Sequence, residues 1–241
     1  MSRFLSAIRM DVTLQWRSKL YVIGIAAGVL VAIGLSQLGT NEQMYLLVPT
    51  LMLAVAGGST LLYVAGMIIF EKDEGTLNAA IVSPLRTSEY IWSKVATLTF
   101  LATLEAAIMV GGTMLILSRT DQVTIPNLLV LVPAVLIAGV LYTLLGIILI
   151  VRYDKITDFL LPMGSIAIIL QLPMLYFLGM IENPLFLIIP SSAPTMLVRG
   201  AYVPLTPAEW LYGVGYTALL LIVMIPWAFR AFNKHIIMKV G

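Results

Sequence analysis

Six long runs of the sequence are almost free of charged side chains, and they constrain the fold more than any other feature. The runs are residues 20–38, 44–70, 95–118, 125–151, 159–181 and 210–229. Only the third contains a charge, Glu105. A helix needs about 20 apolar residues to cross a bilayer, and only helix formation satisfies the backbone of such a run in lipid. No run alternates in polarity as a membrane β-strand does. The sequence therefore predicts an all-α integral membrane protein with six transmembrane helices.

The composition agrees with this architecture and excludes several classes of function. Of the 241 residues, 60% are apolar and 11% are charged, and the net charge of +2 indicates no nucleic-acid partner. Cysteine is absent and His235 is the single histidine, so we expect no disulfide, thiolate catalysis or metal site. No lysine follows a glycine, so the chain has no GxxxxGK[ST] phosphate-binding loop. We therefore expect a chain that is not itself an enzyme.

Basic residues are distributed unevenly over the segments between the runs. Of the 14 lysines and arginines, all but Arg119 and Arg199 lie on one set of alternate segments, which includes both termini. By the positive-inside rule, this set faces the cytoplasm. We expect a multi-pass protein of the cell membrane with both termini cytoplasmic.

Residues 1–19 precede the first run and carry four basic side chains. On a helix, the five apolar side chains Phe4, Leu5, Ile8, Val12 and Trp16 fall within about 120° of arc, next to a basic arc. This pattern predicts an amphipathic helix that lies in the membrane plane. A basic flank that only orients the first span is the alternative. No cleavage pattern follows the first run, so we expect the segment to stay on the mature chain.

The segment between the second and third runs, residues 71–94, contains its own helix signals. Gly75 is a helix stop, and Thr76 can cap a new helix. Ser83-Pro84 then ends that helix. The pattern predicts a cytosolic helix of about two turns held between two breaks.

Residues 182–209 form a second unusual connection, because prolines interrupt a series of apolar residues. The prolines are Pro184, Pro190, Pro194, Pro204 and Pro207. They exclude a seventh span, and the apolar pieces between them are too short to cross the membrane. We expect short re-entrant helices that enter the outer leaflet.

Glu105 and Gln171 are polar groups inside the predicted spans. A charged side chain at the centre of a membrane helix costs about 2.5–3.5 kcal/mol on insertion scales. We therefore expect Glu105 to face the bundle, to be protonated or to have a hydrogen-bond donor. Two interpretations stay open for both residues: they line a substrate path, or they stabilise packing by bonding to a neighbouring helix.

Gly24 and Gly28 form a GxxxG pattern in the first span. Glycines at this spacing let two helix backbones approach closely. The pattern is compatible with packing inside the chain and with a seam between two chains.

Residues 70–95, with the sequence FEKDEGTLNAAIVSPLRTSEYIWSKV, resemble the motif of the membrane subunits of type-2 ABC exporters. In that motif, charged residues lead into EGTL at 74–77, SPL at 83–85, EY at 89–90 and Lys94. The resemblance extends to residues 11–17 and 190–200. Within that family, the chain is most similar to the permeases known as fluoroquinolone exporters.

This resemblance implies one transmembrane domain over residues 1–241. Its expected parts are an interfacial helix at 1–19, spans at 20–70, a coupling loop at 71–94, spans at 95–181, an outer re-entrant segment at 182–209, a span at 210–229 and a cytosolic tail at 230–241.

The resemblance also implies a separate ATPase subunit, which binds ATP and Mg²⁺, whereas this chain binds no cofactor. The short helix at 76–82 would be the coupling helix that docks on the ATPase. The implied coupling residues are Glu71, Glu74, Gly75, Thr76, Leu77 and Ile81. The N-terminal helix would approach the ATPase through Arg9, Asp11, Trp16 and Arg17.

Family permeases work in pairs, with spans one and five near the seam, which would place Gly24 and Gly28 between this chain and an identical or related permease. We expect half of the translocation path of an exporter for hydrophobic or amphipathic molecules, drug-like compounds or lipids, with two ATPase copies. Glu105 and Gln171 would line the path. The alternatives are a proton-coupled secondary transporter that uses Glu105, and a membrane scaffold that transports nothing.

Overall fold

The computed structural model describes residues 3–38, 43–77, 85–119 and 124–238, and every regular element in these ranges is a helix. Six helical segments are long and apolar enough to cross a membrane. They are Leu20–Gln37, Met44–Asp73, Thr87–Leu117, Leu128–Ile150, Ile156–Phe177 and Pro207–Ile237. The prediction of an all-α membrane protein with six transmembrane helices is confirmed.

The first two helices are separated by a sharp turn. Helix α1 is Arg3–Arg17, and helix α2 is Leu20–Leu38, the first span. Between them, Lys19 has a φ of 59°, in the left-handed region that ends a right-handed helix. The helix predicted for residues 1–19 is therefore present, and its orientation in the membrane plane stays a prediction.

The second span is interrupted where the sequence shows one continuous run. It consists of α3, Met44–Leu51, a π-helical segment, Met52–Ala56, and α4, Gly57–Asp73. Pro49, which lacks a backbone N–H, lies inside α3, one turn before the π-helical segment. Within this segment, the Ala54 carbonyl accepts a hydrogen bond from another span, from Gln171 Nε2.

Helices α5, Thr87–Leu117, and α6, Leu128–Ile150, form the third and fourth spans. α5 begins before the charge-free run that starts at residue 95, because a charge-free run marks only the part of a helix that suits lipid. Its start is set by Glu89, whose carboxylate accepts a hydrogen bond from the Arg86 N–H at 2.8 Å. α5 lies centrally, with α1, α2, α4 and α6 packed against it.

The fifth span consists of α7, Ile156–Gln171, and α8, Pro173–Phe177. A 3₁₀-helix, Pro184–Ile188, and α9, Ser192–Arg199, then precede the sixth span. Both are too short to cross a membrane. α9 is buried against α3, α6 and α10, and the depth of these two helices in the bilayer stays a prediction.

The sixth span is α10, Pro207–Phe232, which continues into a π-helical turn, Asn233–Ile237. Thr206 caps α10, and its N–H donates to the Glu209 carboxylate at 2.7 Å. At the other end of α10, the Phe232 ring packs on Tyr90 of α5, with centroids 5.0 Å apart. α1, the end of α4, the start of α5 and the end of α10 thus meet at one end of the bundle, which we call the terminal end.

Candidate functional site

The residues predicted to couple to an ATPase lie at the end of α4 and beyond it. Glu74, Gly75 and Thr76 are exposed, whereas Leu77 is 3% exposed and packs within the chain. Gly75 has a φ of +70°, a conformation that glycine adopts without strain, and it turns the chain away from α4. Ile81 and the rest of the predicted coupling helix lie outside the described residues.

Glu71, the remaining predicted coupling residue, is buried in a cluster of ions that joins three helices. Lys94 Nζ on α5 donates hydrogen bonds to Asp11 Oδ1 on α1 and to Glu71 Oε1 on α4. Tyr90 OH donates to Glu71 Oε2, and Lys94 Nζ lies 4.8 Å from the centre of the Tyr90 ring. We refer to Asp11, Glu71, Tyr90 and Lys94 as the ion cluster.

The three charged side chains of the ion cluster are shielded from solvent. Asp11 is 1% exposed, Glu71 is 2% exposed and Lys94 is fully buried. Removal of an ion from water costs several kcal/mol, which a close opposite charge and hydrogen bonds must offset. A displacement of α1 or of α4 from α5 would leave a buried ion without its partner. The ion cluster therefore favours a single arrangement of these three helices.

Sequence reasoning assigned Asp11 and Glu71 to two different surfaces and saw Lys94 only as part of a motif. The pairing was missed because Asp11 and Lys94 are 83 residues apart. One signal was available. Asp11 and Gln15 lie one helical turn apart, on a face of α1 that is separate from both the apolar face and the basic face. Two polar residues on a third face indicate that this face contacts another part of the protein.

Helix α1 has three distinct faces. Asp11 and Gln15 are buried against the bundle. An apolar face, formed by Leu5, Val12 and Trp16, is exposed, with Trp16 71% exposed. The third face is also exposed and carries three polar or basic residues in successive turns, Arg9, Thr13 and Arg17. Of the four residues predicted for the N-terminal interface, Arg9, Trp16 and Arg17 are thus accessible, and Asp11 is not.

A groove of about 440 Å³ separates the basic face of α1 from the end of α4. Arg9 and Arg17 line one wall. Glu74 and Thr76 lie on the other wall, beside the edge of the ion cluster at Glu71. The groove therefore presents side chains of both signs next to the exposed residues of the predicted coupling loop.

Glu105 is buried within the membrane-spanning part of α5, with 2% of its surface exposed. Its Oε2 atom accepts hydrogen bonds from Ser59 Oγ at 2.8 Å and from Tyr63 OH at 3.1 Å. Both donors lie on α4. Its Oε1 atom has no hydrogen-bond partner among the described residues. Glu105 therefore has the hydrogen-bond donors that we expected for a polar group inside a span. Because both donors belong to a neighbouring helix, the geometry supports the interpretation that Glu105 stabilises helix packing.

The GxxxG pattern of α2 packs against α5 of the same chain. A Cβ atom added at Gly28 would lie 2.9 Å from the Glu105 carbonyl oxygen, and one added at Gly24 would lie 3.3 Å from Tyr63 OH. A side chain at Gly24 or Gly28 would thus crowd Glu105 or Tyr63, which donates to the Glu105 carboxylate. For Gly24 and Gly28, the structure supports the intrachain alternative.

Gln171 also bonds to the second span, but at a different place. Its Nε2 donates to the Ala54 carbonyl at 3.2 Å, inside the π-helical segment. Glu105 and Gln171 therefore attach α5 and α7, respectively, to two neighbouring parts of one span. The structure places both as helix-to-helix hydrogen-bonding groups.

Two tyrosines of α10 hold the outer segment, and sequence reasoning missed both. Tyr212 OH donates to the Leu187 carbonyl at 2.7 Å and lies 2.5 Å from Ser192 Oγ. Tyr216 OH donates to the Ile188 carbonyl at 2.5 Å. Their i, i+4 spacing places both tyrosines on one face of α10, which was a sequence signal for a shared contact. We call Tyr212 and Tyr216 the tyrosine clasp.

Comparisons with known proteins cover the whole chain. The model of the fluoroquinolones export permease protein family matches residues 2–240. A protein of Mycobacterium tuberculosis strain CDC 1551 / Oshkosh, named a fluoroquinolones export permease protein, is 28% identical over 254 residues, which include 100% of this chain and 99% of the relative. The protein of the same description in strain ATCC 25618 / H37Rv gives the same values. This chain therefore belongs to the fluoroquinolones export permease protein family.

Proposed function

We propose that this chain is the permease subunit of an ATP-driven ABC exporter and that a separate ATPase subunit drives it. Membership of an export permease family and six membrane-spanning helices support this proposal. The chain also lacks the phosphate-binding loop that an ATPase needs, so the nucleotide would be bound elsewhere.

The observation that carries the proposal is the connection between an exposed surface and the spans at the terminal end. Glu74, Gly75 and Thr76 are exposed directly after α4. Glu71, on the last turn of α4, is tied by the ion cluster to α1 and α5. A partner that displaces residues 74–76 would thus move α1, α4 and α5 together. Such a rigid group can act as the two-state element that ATP binding biases.

The terminal end is proposed to face the cytoplasm. Basic residues are concentrated in the segments that meet there, and the positive-inside rule places such segments in the cytoplasm. Helix α1 and the end of α10, which are the first and last described α-helices, belong to this end. A cytoplasmic ATPase could then reach Arg9, Trp16 and Arg17 on α1 as well as the coupling loop.

The proposed substrate is a hydrophobic or amphipathic molecule, a drug-like compound or a lipid. The two relatives are named for fluoroquinolones, which supports a drug-like substrate. Glu105 is the single charged side chain within the six apolar runs, so these runs carry no ring of charges that an inorganic ion would need. We propose that two permease chains, identical or related, and two ATPase copies form the exporter.

Co-purification tests the proposal directly. The full chain, tagged and extracted in mild detergent, is expected to bring with it a polypeptide that contains a nucleotide-binding loop, identified by mass spectrometry. A preparation that holds no ATPase under conditions that preserve the fold would favour the scaffold alternative.

Substitution of the exposed loop locates the coupling surface. Thr76→Arg is expected to abolish stimulation of ATP hydrolysis by substrate, because the new side chain would stand between residues 74–76 and the ATPase. Thr157→Arg is the matched control, since Thr157 is also exposed, at the start of α7. If substrate stimulates ATP hydrolysis equally in both variants, this loop is not the coupling surface.

A further inference from the structure

The groove between α1 and the end of α4 lies where two spans reach the membrane boundary. Arg17 on one wall stands three residues before Leu20, where the first span begins. Glu74 on the other wall directly follows Asp73, where the second span ends. Trp16, next to Arg17, is 71% exposed, and tryptophan at a span end is typical of the headgroup region. We therefore expect the groove to lie at the level of the lipid headgroups.

The α1 wall of the groove is positively charged. Arg9 and Arg17 both line it, and both are exposed. With Thr13 between them, they lie on one face of α1 and span two turns, about 12 Å. Among the described residues, neither guanidinium group forms an ion pair or a hydrogen bond within the chain. Two such groups on one wall suit a phosphate group, which arginine binds through charge-assisted hydrogen bonds.

The opposite wall carries one available negative charge. Glu74 is exposed and has no ion-pair partner among the described residues. Glu71 also lines the groove, but its two carboxylate oxygens accept from Lys94 and Tyr90 inside the ion cluster. Thr76 adds a hydroxyl oxygen beside Glu74. This wall thus offers acceptor oxygens to a positively charged donor.

We propose that the groove binds the headgroup of a zwitterionic aminophospholipid of the phosphatidylethanolamine class. The lipid phosphate lies between Arg9 and Arg17, and the primary ammonium group donates to the Glu74 carboxylate. The acyl chains leave along the exposed apolar face of α1, which includes Val12 and Trp16. The groove volume of about 440 Å³ holds both charged groups of one headgroup. This proposal does not depend on the proposed function.

The charges of the two walls select among headgroups. Phosphatidylglycerol has a phosphate for the arginines but no cation for Glu74. Phosphatidylcholine has a cation, but its trimethylammonium group carries no N–H and donates no hydrogen bond to Glu74 or Thr76. A primary ammonium group satisfies both requirements, as the ammonium of lysine does in an ion pair. A headgroup bound in this way bridges α1 and the end of α4 on the exposed side of the ion cluster.

Lipid binding to the full chain tests the proposal. The protein in mild detergent is titrated with phosphatidylethanolamine, phosphatidylcholine or phosphatidylglycerol of identical acyl chains, and bound lipid is counted by native mass spectrometry. Phosphatidylethanolamine should bind about tenfold more tightly than the other two, because it alone forms charge-assisted hydrogen bonds with both walls. Glu74→Gln should remove the preference over phosphatidylcholine. Arg9→Gln combined with Arg17→Gln should weaken the binding of all three lipids about tenfold.

Arg152→Gln is the matched control, since it removes an exposed arginine that lies after α6, away from the groove lining. It should leave the three lipid affinities unchanged. All the substituted side chains are exposed, so the unfolding midpoints should stay close to that of the wild type, which separates lost binding from lost fold.

Three results would overturn the proposal. The first is a wild-type protein that binds phosphatidylcholine or phosphatidylglycerol as tightly as phosphatidylethanolamine. The second is soluble glycerophosphoethanolamine that binds as tightly as the lipid, which would assign the groove to a free phosphate compound. The third is the loss of bound phosphatidylethanolamine when an ATPase subunit co-purifies, which would assign the groove to that subunit.

Discussion

At the scale of single residues, Lys94 has the largest structural role. It is the only cation among the described residues of the ion cluster, and it bridges two helices that flank its own. A lysine this deeply buried is rare unless paired. The attraction between Lys94 and the carboxylates adds little net stability, because all three charges have lost their water. Removal of Lys94 would be costly, because two carboxylates would remain buried without a positive charge.

Lys94→Met should destabilise the protein by about 3–5 kcal/mol, since it leaves Asp11 and Glu71 buried without a counter-ion. The measurement is the free energy of unfolding in detergent. Lys234→Met, at an exposed position, serves as the control and should change stability by less than about 0.5 kcal/mol. Similar values for the two variants would contradict the role of Lys94.

Glu105→Ala should cost about 1–3 kcal/mol of stability, because Ser59 and Tyr63 lose their acceptor. Glu105→Gln keeps an acceptor oxygen and should cost less. If Glu105 serves packing, Glu105→Ala lowers the unfolding midpoint more than it lowers substrate affinity, and ATP-dependent export survives in Glu105→Gln. The reverse ranking would place Glu105 in the substrate path, and loss of export in Glu105→Gln would revive the proton-coupled alternative.

At the scale of helices, the contact between α2 and α5 depends on a missing side chain. The backbone of α2 approaches the Glu105 carbonyl so closely at Gly28 that a methyl group has no room there. Gly34, on the same helix, has no atom within 4 Å of its added Cβ. Substitution of the two glycines by alanine therefore compares a position in close contact with α5 with a position on the same helix that has space for a methyl group.

Gly28→Ala should destabilise the protein by about 1–3 kcal/mol through overpacking against α5. Gly34→Ala should leave stability unchanged or raise it slightly, since alanine favours the helix. Thermal unfolding of both variants distinguishes the outcomes. If Gly28→Ala keeps wild-type stability but loses self-association, Gly28 lies at a seam between two chains instead.

At the scale of the whole molecule, the two ends of the bundle are held by different interactions. The ion cluster joins α1, α4 and α5 at the terminal end. At the opposite end, the tyrosine clasp joins α10 to the 3₁₀-helix and to the start of α9. The two attachments share no helix other than α10, which reaches both ends, so each can be tested by its own substitutions.

Double substitution of the tyrosine clasp, Tyr212→Phe with Tyr216→Phe, should free the outer segment from α10. The chain has no native cysteine, so a single reporter at Met196→Cys, a buried position of α9, can be labelled with a thiol reagent. Labelling should be several-fold faster in the double variant than with intact tyrosines, and Tyr45→Phe on α3 should leave the rate unchanged. An unaltered rate in the double variant would show that packing alone holds α9.

The sequence by itself determined the class of fold and the number of spans. Long charge-free runs admit only helices in lipid, so this inference needed no knowledge of contacts. The resemblance of residues 70–95 to exporter permeases likewise indicated the family. The start of α5 before the charge-free run was also predictable from the sequence, because Glu89 is a local signal for the first turn of a helix.

Only the tertiary structure decided which polar groups meet. Asp11 and Lys94 are 83 residues apart, and Glu71 and Lys94 are 23 apart, so no local pattern joins them. The partner of Gly28 was equally open, since a GxxxG face fits any helix that approaches it. Local periodicity reports what faces lipid, whereas the pairing of buried ions depends on how the helices pack, because that packing alone sets the distances between charges.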